Sequence, residues 1–328
     1  MNNAVVIVTY NRLELLKECL ACVCGQTIPF SRVIVVDNHS TDGTRDYLEG
    51  REDTYVFHVT DKKLDEKVIK IGEDKKIWVL EEAENLGGAG GFYDGLRWAS
   101  QDAYDWVLII DDDAMIAPDY VEKLIIYAKK HPSVCGLAGK VVTEGHIDTS
   151  HRRRITNRLL YVEGNVAEEE YKQESFSCDA ATFCGLLVQG EKMRAIGLPE
   201  KEYFLWYDDI EYCLRLKDAG GITIVPDAVL HHKTVLSKEG MVAKGVLHRI
   251  GWRQYYGYRN RYDTAKRHLG KLSAAVILWQ YRVFWLLSFF MTWEKETREQ
   301  GKQNMQILRD VIQDCKAGKL GKHPKYHY

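Results

Sequence analysis

Trp106-Val107-Leu108-Ile109-Ile110-Asp111-Asp112-Asp113 is the stretch on which the fold turns. Five consecutive apolar residues predict a strand buried on both faces, and it runs straight into three carboxylates. Side chains at i and i+2 leave an extended chain on the same side, so Asp111 and Asp113 are placed to share one divalent cation. Such a cation neutralises a diphosphate and makes a nucleoside diphosphate a better leaving group. An acidic strand end alone equally describes a solvated loop start, so the neighbouring segments carry the decision.

Working outward, Ala4 to Thr9, Val33 to Val36 and Ile77 to Leu80 are further short apolar runs that predict strands. Helices are predicted over Leu13 to Cys24, Gly90 to Ser100 and Pro118 to His131. Buried strands alternating with helices predict an α/β fold with a mostly parallel central sheet covered on both faces. Ligands bind such sheets at the carboxyl ends of the strands. Three of those ends carry polar groups suited to a nucleotide: Thr9-Tyr10-Asn11-Arg12, Asp37-Asn38 and Asp111-Asp112-Asp113. Residues 61–75 and 145–175 are highly charged without a clear period and are expected to be insertions or surface loops. Within the second, His151-Arg152-Arg153-Arg154 reads as a solvated turn or as a contact for an anionic acceptor. Ile222 to Val225 and Ala228 to His232 are expected as late strands, and the pattern turns helical from about Val246.

The chain has 328 residues, 45% hydrophobic and 28% charged, enough for a soluble enzyme with a sizeable core. Its eight cysteines are scattered, and the N-terminus lacks a charged-then-apolar leader, so a reducing cytoplasm is expected rather than a disulfide framework. Cys19, Cys22 and Cys24 cluster inside a predicted helix with no downstream His/Cys pair, which argues against a zinc site. Charge is unevenly divided. From Arg249 onward 16 Lys and Arg face 6 Asp and Glu, a balance of +10; with the whole chain at −2, the first 248 residues carry −12. This divides the chain into an acidic body, 1–245, and a basic, aromatic-rich C-terminal region, 246–328.

Three more segments bear on chemistry. Asn85-Leu86-Gly87-Gly88-Ala89-Gly90-Gly91-Phe92 holds four glycines in five positions, which permits close backbone approach to a phosphate or sugar at a helix start. It is not the dinucleotide fingerprint, because it does not follow the first strand. A tight turn into a helix would need fewer glycines. Phe204-Leu205-Trp206-Tyr207-Asp208-Asp209-Ile210-Glu211 sets acids at a predicted helix start beneath an aromatic run. One aspartate would suffice as an N-cap. Two adjacent carboxylates repel, which raises one pKa toward the range of a general base. The aromatics Trp206 and Tyr207, with Phe183, are candidates for a platform against a sugar acceptor. His231-His232 ends a late strand, where a neutral imidazole can complete a metal site.

In order and rough spacing these motifs resemble those of the inverting family 2 glycosyltransferases, over about residues 3–235. The resemblance implies the nucleotide-diphospho-sugar transferase (GT-A type) fold. It implies that Asp37 faces the uracil and that Thr9 and Arg12 line the nucleotide pocket, with Asn85, Gly87, Gly88, Gly90 and Asp112 also meeting the nucleotide-sugar. Asp111 and Asp113 stand where the family binds its metal, Mn2+ or Mg2+, with His232 as the late ligand and His231 as the alternative. Asp208-Asp209 stands where the family keeps an acidic pair whose second member is the base, which points to Asp209. Asn85 to Phe92 and Tyr255-Tyr256-Gly257-Tyr258-Arg259-Asn260 look most like galactofuranosyltransferases and the related rhamnosyltransferases of bacterial surface polysaccharides.

The expected activity is transfer of galactofuranose from UDP-galactofuranose to a lipid-linked glycan, with dTDP-rhamnose as the alternative donor. Two rivals come from other classes. A nucleotidyltransferase would need more than the single cation that Thr9 to Arg12 offers, and a silent glycan-binding protein would not need this set of acids and histidine. No nucleic-acid partner is expected. Leu272 to Trp293 carries Trp279, Phe284, Trp285, Phe289, Phe290 and Trp293, interrupted by Gln280 and Arg282. With Lys266, Arg267, Lys271, Lys295 and Arg298 flanking it, this segment suits an interfacial helix on anionic lipid at the inner face of the cell membrane. Packing on the body or in a homo-oligomer is the competing expectation.

Overall fold

The computed structural model describes residues 1–59, 74–233 and 250–327. The first half alternates strands β1 (Asn3–Thr9), β2 (Arg32–Asp37), β3 (Thr54–Val59), β4 (Ile77–Glu82) and β5 (Trp106–Asp111) with helices α1 (Leu13–Cys24), α2 (Thr44–Glu49) and α3 (Gly87–Ala99). Then come β6 (Ala114–Ile116), α4 (Tyr120–Lys130), β7 (Gly136–Thr143), β8 (His146–Ile147), β9 (Arg152–Asn157) and β10 (Val162–Asn165). The body is completed by β11 (Phe176–Cys178), β12 (Ala180–Ala181), β13 (Leu186–Gln189), α5 (Gly190–Ile196), α6 (Asp208–Ala219) and β14 (Ile222–His232).

The central sheet runs β11-β14-β7-β13-β5-β1-β2-β4-β3. Its β5-β1-β2-β4-β3 half is parallel throughout. On the other side β13 lies antiparallel to both β5 and β7. Alternating side chains of β1, β2 and β5 feed two cores: Val6, Val36 and Ile109 on one face, Val5, Val35 and Leu108 on the other. A strand buried on both faces must be apolar at every position until it leaves the core, which is why β5 is continuous to Ile110 and polar directly after.

Two expectations are corrected here. The charged stretch 145–175 contains paired strands: β9 pairs antiparallel with β10 and with β12 in a second, three-stranded sheet. Its strands are half-exposed, so their charges obscure the alternation. The two late strands are one, β14, whose register on β7 shifts between Val225 and Val229, around Pro226. The expected 61–75 insertion and the 245/246 boundary lie largely or wholly outside the described residues.

The C-terminal part is helical: α7 (Trp252–His268), α8 (Lys271–Met291) and α9 (Arg298–Ala317). Tyr255, Tyr256, Ile277, Tyr281 and Leu308 form their shared core, into which Tyr161 and Phe204 of the body insert. By length and composition α8 is long and apolar enough to cross a membrane. One side of it is buried through Ala274, Ile277, Tyr281 and Ser288, while Leu272, Trp279, Leu286, Phe289 and Phe290 are exposed.

Candidate active site

Parallel pairing sets Val8 beside Asp111 and Thr9 beside Asp37, so the ends of β5, β1 and β2 form one edge. Thr9 Oγ1 donates to Asp112 Oδ2 at 2.7 Å. Arg12 Nη1 donates to Asp112 Oδ1 at 3.2 Å and to Asp113 Oδ2 at 2.7 Å. The antiparallel pairing of β14 with β6 puts His232 opposite Ala114, and the Lys233 amide donates to the Asp113 carbonyl at 2.9 Å. His232 Nε2 then lies 3.2 Å from Asp113 Oδ1. Strand alternation turns His231 outward to solvent, so His232 is the histidine that joins the acidic edge.

Burial and the neighbouring carboxylates Asp113 and Asp112 lift the Asp111 pKa well above the usual range. Burial raises Asp112 to about 6 against the pull of Arg12. Burial opposes the charged form of His232, but Asp113 and Asp111 outweigh it and raise the pKa of the imidazole. An edge that raises the pKa of its acids and of its base together is short of positive charge.

On the β2 side, Asp37 is buried, which raises its pKa, and its Oδ1 accepts from the Ser40 amide at 3.0 Å. Asn38 ties this edge to the glycine-rich loop: its Nδ2 donates to Asn85 Oδ1 at 3.1 Å, and its Oδ1 accepts from the Leu86 amide at 2.9 Å. Gly87 has φ +72°, and a Cβ there would fall 1.9 Å from the Phe204 carbonyl oxygen. Added Cβ atoms at Gly90 and Gly91 would meet Leu86 Cβ at 2.5 Å and Val8 Cγ1 at 2.7 Å, whereas at Gly88 nothing lies within 4 Å. Close packing therefore accounts for Gly87, Gly90 and Gly91. Gly88 is the one whose Cβ direction stays open, in the first turn of α3.

Asp208 and Asp209 begin α6 after a backbone that is left-handed at Phe204, Trp206 and Tyr207, with φ of 63°, 65° and 72°. Such conformations persist only when held by their surroundings. Here Asn260 Nδ2 lies within hydrogen-bond distance of the carbonyls of Tyr203, Leu205 and Trp206, at 2.9–3.0 Å. Burial, then Asp209 and Asp111, push the Asp208 carboxyl well up. Burial also raises Asp209, whose Oδ1 accepts from the Ile210 amide at 2.7 Å, while Arg153 pulls it back down. Asp208 thus senses the acidic edge and Asp209 senses a cation.

Of the expected acceptor contacts, Trp206 is exposed and Tyr207 is half-buried near Tyr161. Phe183 is 2% exposed and edge-on to Phe92 and Tyr212, so it is a core residue and not an acceptor contact. The basic run is no solvated turn either. Arg152 is 0% exposed and donates to the carbonyls of Gly139 and Cys184. Arg153 Nη1 donates to Glu163 at 3.1 Å and also bears electrostatically on Asp209. His151 lies edge-on to His232, with ring centroids 4.9 Å apart. Composition gave no sign of these roles, although three arginines entering a strand were a signal that burial had to be answered by hydrogen bonds.

The sequence model described as glycosyl transferase family 2 matches residues 4–189, more than half of the chain. The chain belongs to glycosyltransferase family 2. This family 2 chain is 27% identical over 280 residues to the galactofuranosyltransferase GlfT1 of Mycobacterium tuberculosis, an alignment covering 82% of the chain and 84% of the relative. The corresponding Mycolicibacterium smegmatis protein is 26% identical, over 66% of the chain and 65% of the relative. The dTDP-rhamnosyl transferase RfbF of Shigella flexneri is 24% identical, over 80% and 79%. Among solved structures, S. aureus TarS 1-349 in complex with UDP superposes with TM-score 0.54 at 14% identity, covering 97% of the chain and 92% of that protein. A Pyrobaculum calidifontis mannosyltransferase in complex with GDP-Man and Mn2+ gives TM-score 0.53 at 17% identity, covering 97% and 88%. The fold of the glycosyltransferase is thus the GT-A type, with helices appended at the C-terminus. Its acidic edge offers carboxylate oxygens and one imidazole, donor types that suit Mn2+ or Mg2+, although among the described residues the ligand atoms that lie within 4.8 Å of one another around His232 are those of His151 and Cys184.

Proposed function

We propose that this glycosyltransferase is metal-dependent and inverting, and that it moves galactofuranose from UDP-galactofuranose to a hydroxyl of a growing, lipid-linked bacterial glycan. The observation that carries the reading is the gathering of Thr9, Arg12, Asp112, Asp113 and His232 at one strand edge, with Asp208-Asp209 electrostatically linked to it through Asp111. Asp111, Asp113 and His232 would hold the cation. When bound, it supplies charge against that developing on the departing nucleoside diphosphate. Asp37 receives the base, and Thr9 and Arg12 fix Asp112 beside the nucleotide. Gly88 and Asn85 lie where α3 begins and support the sugar-diphosphate side.

Asp209 accepts the proton of the acceptor hydroxyl as that oxygen attacks the anomeric carbon from the face opposite the leaving UDP. One displacement inverts the configuration and requires no enzyme nucleophile. Exposed Trp206 offers its ring to the acceptor, with Tyr207 behind it. The C-terminal region, with α8 lying on the inner membrane surface, would bring the enzyme to an acceptor held in the bilayer. The galactofuranose donor rests on the mycobacterial relatives. The match to a dTDP-rhamnosyl transferase keeps dTDP-rhamnose as the second reading.

Calorimetric titration with UDP, with and without Mn2+, and with dTDP and NAD as comparators, tests this. UDP binding that depends on metal, with NAD silent, is the expected result. Preference for dTDP would move the donor to rhamnose, and absence of any nucleotide binding would end the transferase mechanism.

A further inference from the structure

Between α8 and α9 lies a cavity of about 630 Å3, far in sequence from every candidate catalytic residue. Arg282, Arg309 and Lys316 all line it, with Trp285 and Ile312 as its apolar wall and Gln313 between the cations. Arg309, Ile312, Gln313 and Lys316 recur at helical spacing, so one stripe of α9 faces the groove. Three like charges around one cavity repel, and the usual remedy is an acid one turn away. Elsewhere in these helices that remedy is used: Arg267 pairs with Asp263 at 2.6 Å, and Lys302 with Glu299 at 2.7 Å. No acid stands three or four positions from Arg282, Arg309 or Lys316. Among the described residues, none of the three makes an ion pair or a side-chain hydrogen bond.

The groove also continues onto the exposed face of α8. Trp285 stacks near Phe289 with centroids 6.5 Å apart, and Phe289 meets Phe290 and Trp293 at 5.8 and 5.9 Å. Leu272, Trp279 and Trp293 are more than 60% exposed. A cationic cavity with an apolar wall, opening onto an exposed aromatic ladder, complements an amphiphile with an anionic head and a hydrocarbon tail. We propose that this groove is a binding site for the phosphate headgroup of an anionic membrane phospholipid, whose chains cover the aromatic face of α8. The assignment rests on the reading of α8 as a membrane-surface element and makes it specific. The anchoring charge comes from Arg282, Arg309 and Lys316, whereas the flanking Arg267 is already paired with Glu200 and Asp263.

The test is flotation of the full chain with vesicles of phosphatidylcholine, alone or mixed with phosphatidylglycerol. Variant R282Q/R309Q/K316Q is compared with K266Q/K271Q/K295Q, which removes three charges outside the groove. UDP affinity and Tm serve as folding controls. Wild type should bind only the mixed vesicles. The groove variant should lose on the order of a hundredfold in affinity, since each basic residue at an anionic surface contributes about fivefold. The outer variant, whose three charges lie outside the groove, should lose clearly less than the groove variant. Equal losses would overturn the site while leaving membrane docking intact. Failure of wild type to float with either vesicle would overturn both. A calorimetric titration with inorganic phosphate separates the remaining source: phosphate binding to wild type that the groove variant loses, with vesicle binding unchanged in that variant, would make this a free-phosphate site and overturn the lipid assignment. Vesicle binding is read without nucleotide, so failure of the transferase reading itself would appear only in the UDP titration.

Discussion

At the carboxyl end of β5, Asp112 and Asp113 are each 3% exposed, while on α8 Leu272 and Trp279 are 69% and 62% exposed. The first region buries charge and the second exposes hydrocarbon. Folding alone favours neither, because a buried carboxylate loses hydration and an exposed indole orders water. The acidic edge is held together by local answers: Thr9, Arg12 and His232 each meet a carboxylate. The aromatic face has no such internal answer among the described residues. The acidic edge is answered in part from within and stays short of positive charge, whereas the aromatic face is left open to a partner surface.

The comparison breaks most sharply at Asp209. Asp209→Asn should lower turnover by about a thousandfold, within the range of a lost general base, with UDP affinity nearly unchanged. Retention of most turnover would make the acidic start of α6 a structural cap. As the proposed base, Asp209 must be ionised to work, and burial holds its pKa above the ordinary carboxylate value. Turnover should therefore fall as pH drops through that raised pKa. Arg153→Gln removes the cation that lowers it, so the acidic limb of the pH–rate profile should move to higher pH.

Next in size is the cation. Asp113→Asn should remove the Mn2+-dependent gain in UDP affinity, about tenfold to a hundredfold, and chelation of wild type should do the same. Calorimetry reads both. Smaller again is the entry of α3. Gly91→Ala forces a methyl against Val8 and should cost about 1–3 kcal/mol by chemical denaturation. Gly88→Ala should leave stability alone and change nucleotide-sugar affinity instead. The smallest stability effect belongs to the exposed face: Trp279→Ser should stay within about 0.5 kcal/mol of wild type. A large loss there would mean that the face is packed in solution, most simply in an oligomer.

Much of the fold was legible because two-sided burial leaves an unmistakable record. Val107 to Ile110 had to be apolar at every position, and α1, covering the same sheet, carries Leu16, Cys19, Leu20 and Val23 on one side. The acidic edge was legible because three carboxylates after such a strand stood in order with the polar ends of β1 and β2, the Asp208-Asp209 pair and a late histidine. What escaped reading depends on partners remote in sequence. Arg152 is silenced by carbonyls of Gly139 and Cys184, and Phe183 by rings of Phe92 and Tyr212. Gly87 and Gly90 were expected as ligand contacts, but Phe204 and Leu86 occupy the space their side chains would need. His232 was already preferred to His231, and what the sequence could not show is the pairing with β6, a three-residue strand too short to leave a periodic trace, that sets it beside Asp113.

The amide of Asn260 carries a consequence of a different kind. It sits on α7, in the C-terminal region, yet it grips the three carbonyls that hold the approach to Asp208 and Asp209. The two regions are therefore not modules to be cut and exchanged. A chain shortened before α7 would keep every acid of the strand edge and lose the hold on the backbone that leads into Asp208 and Asp209. A chimera carrying another enzyme's tail would inherit that tail's hold on the start of α6.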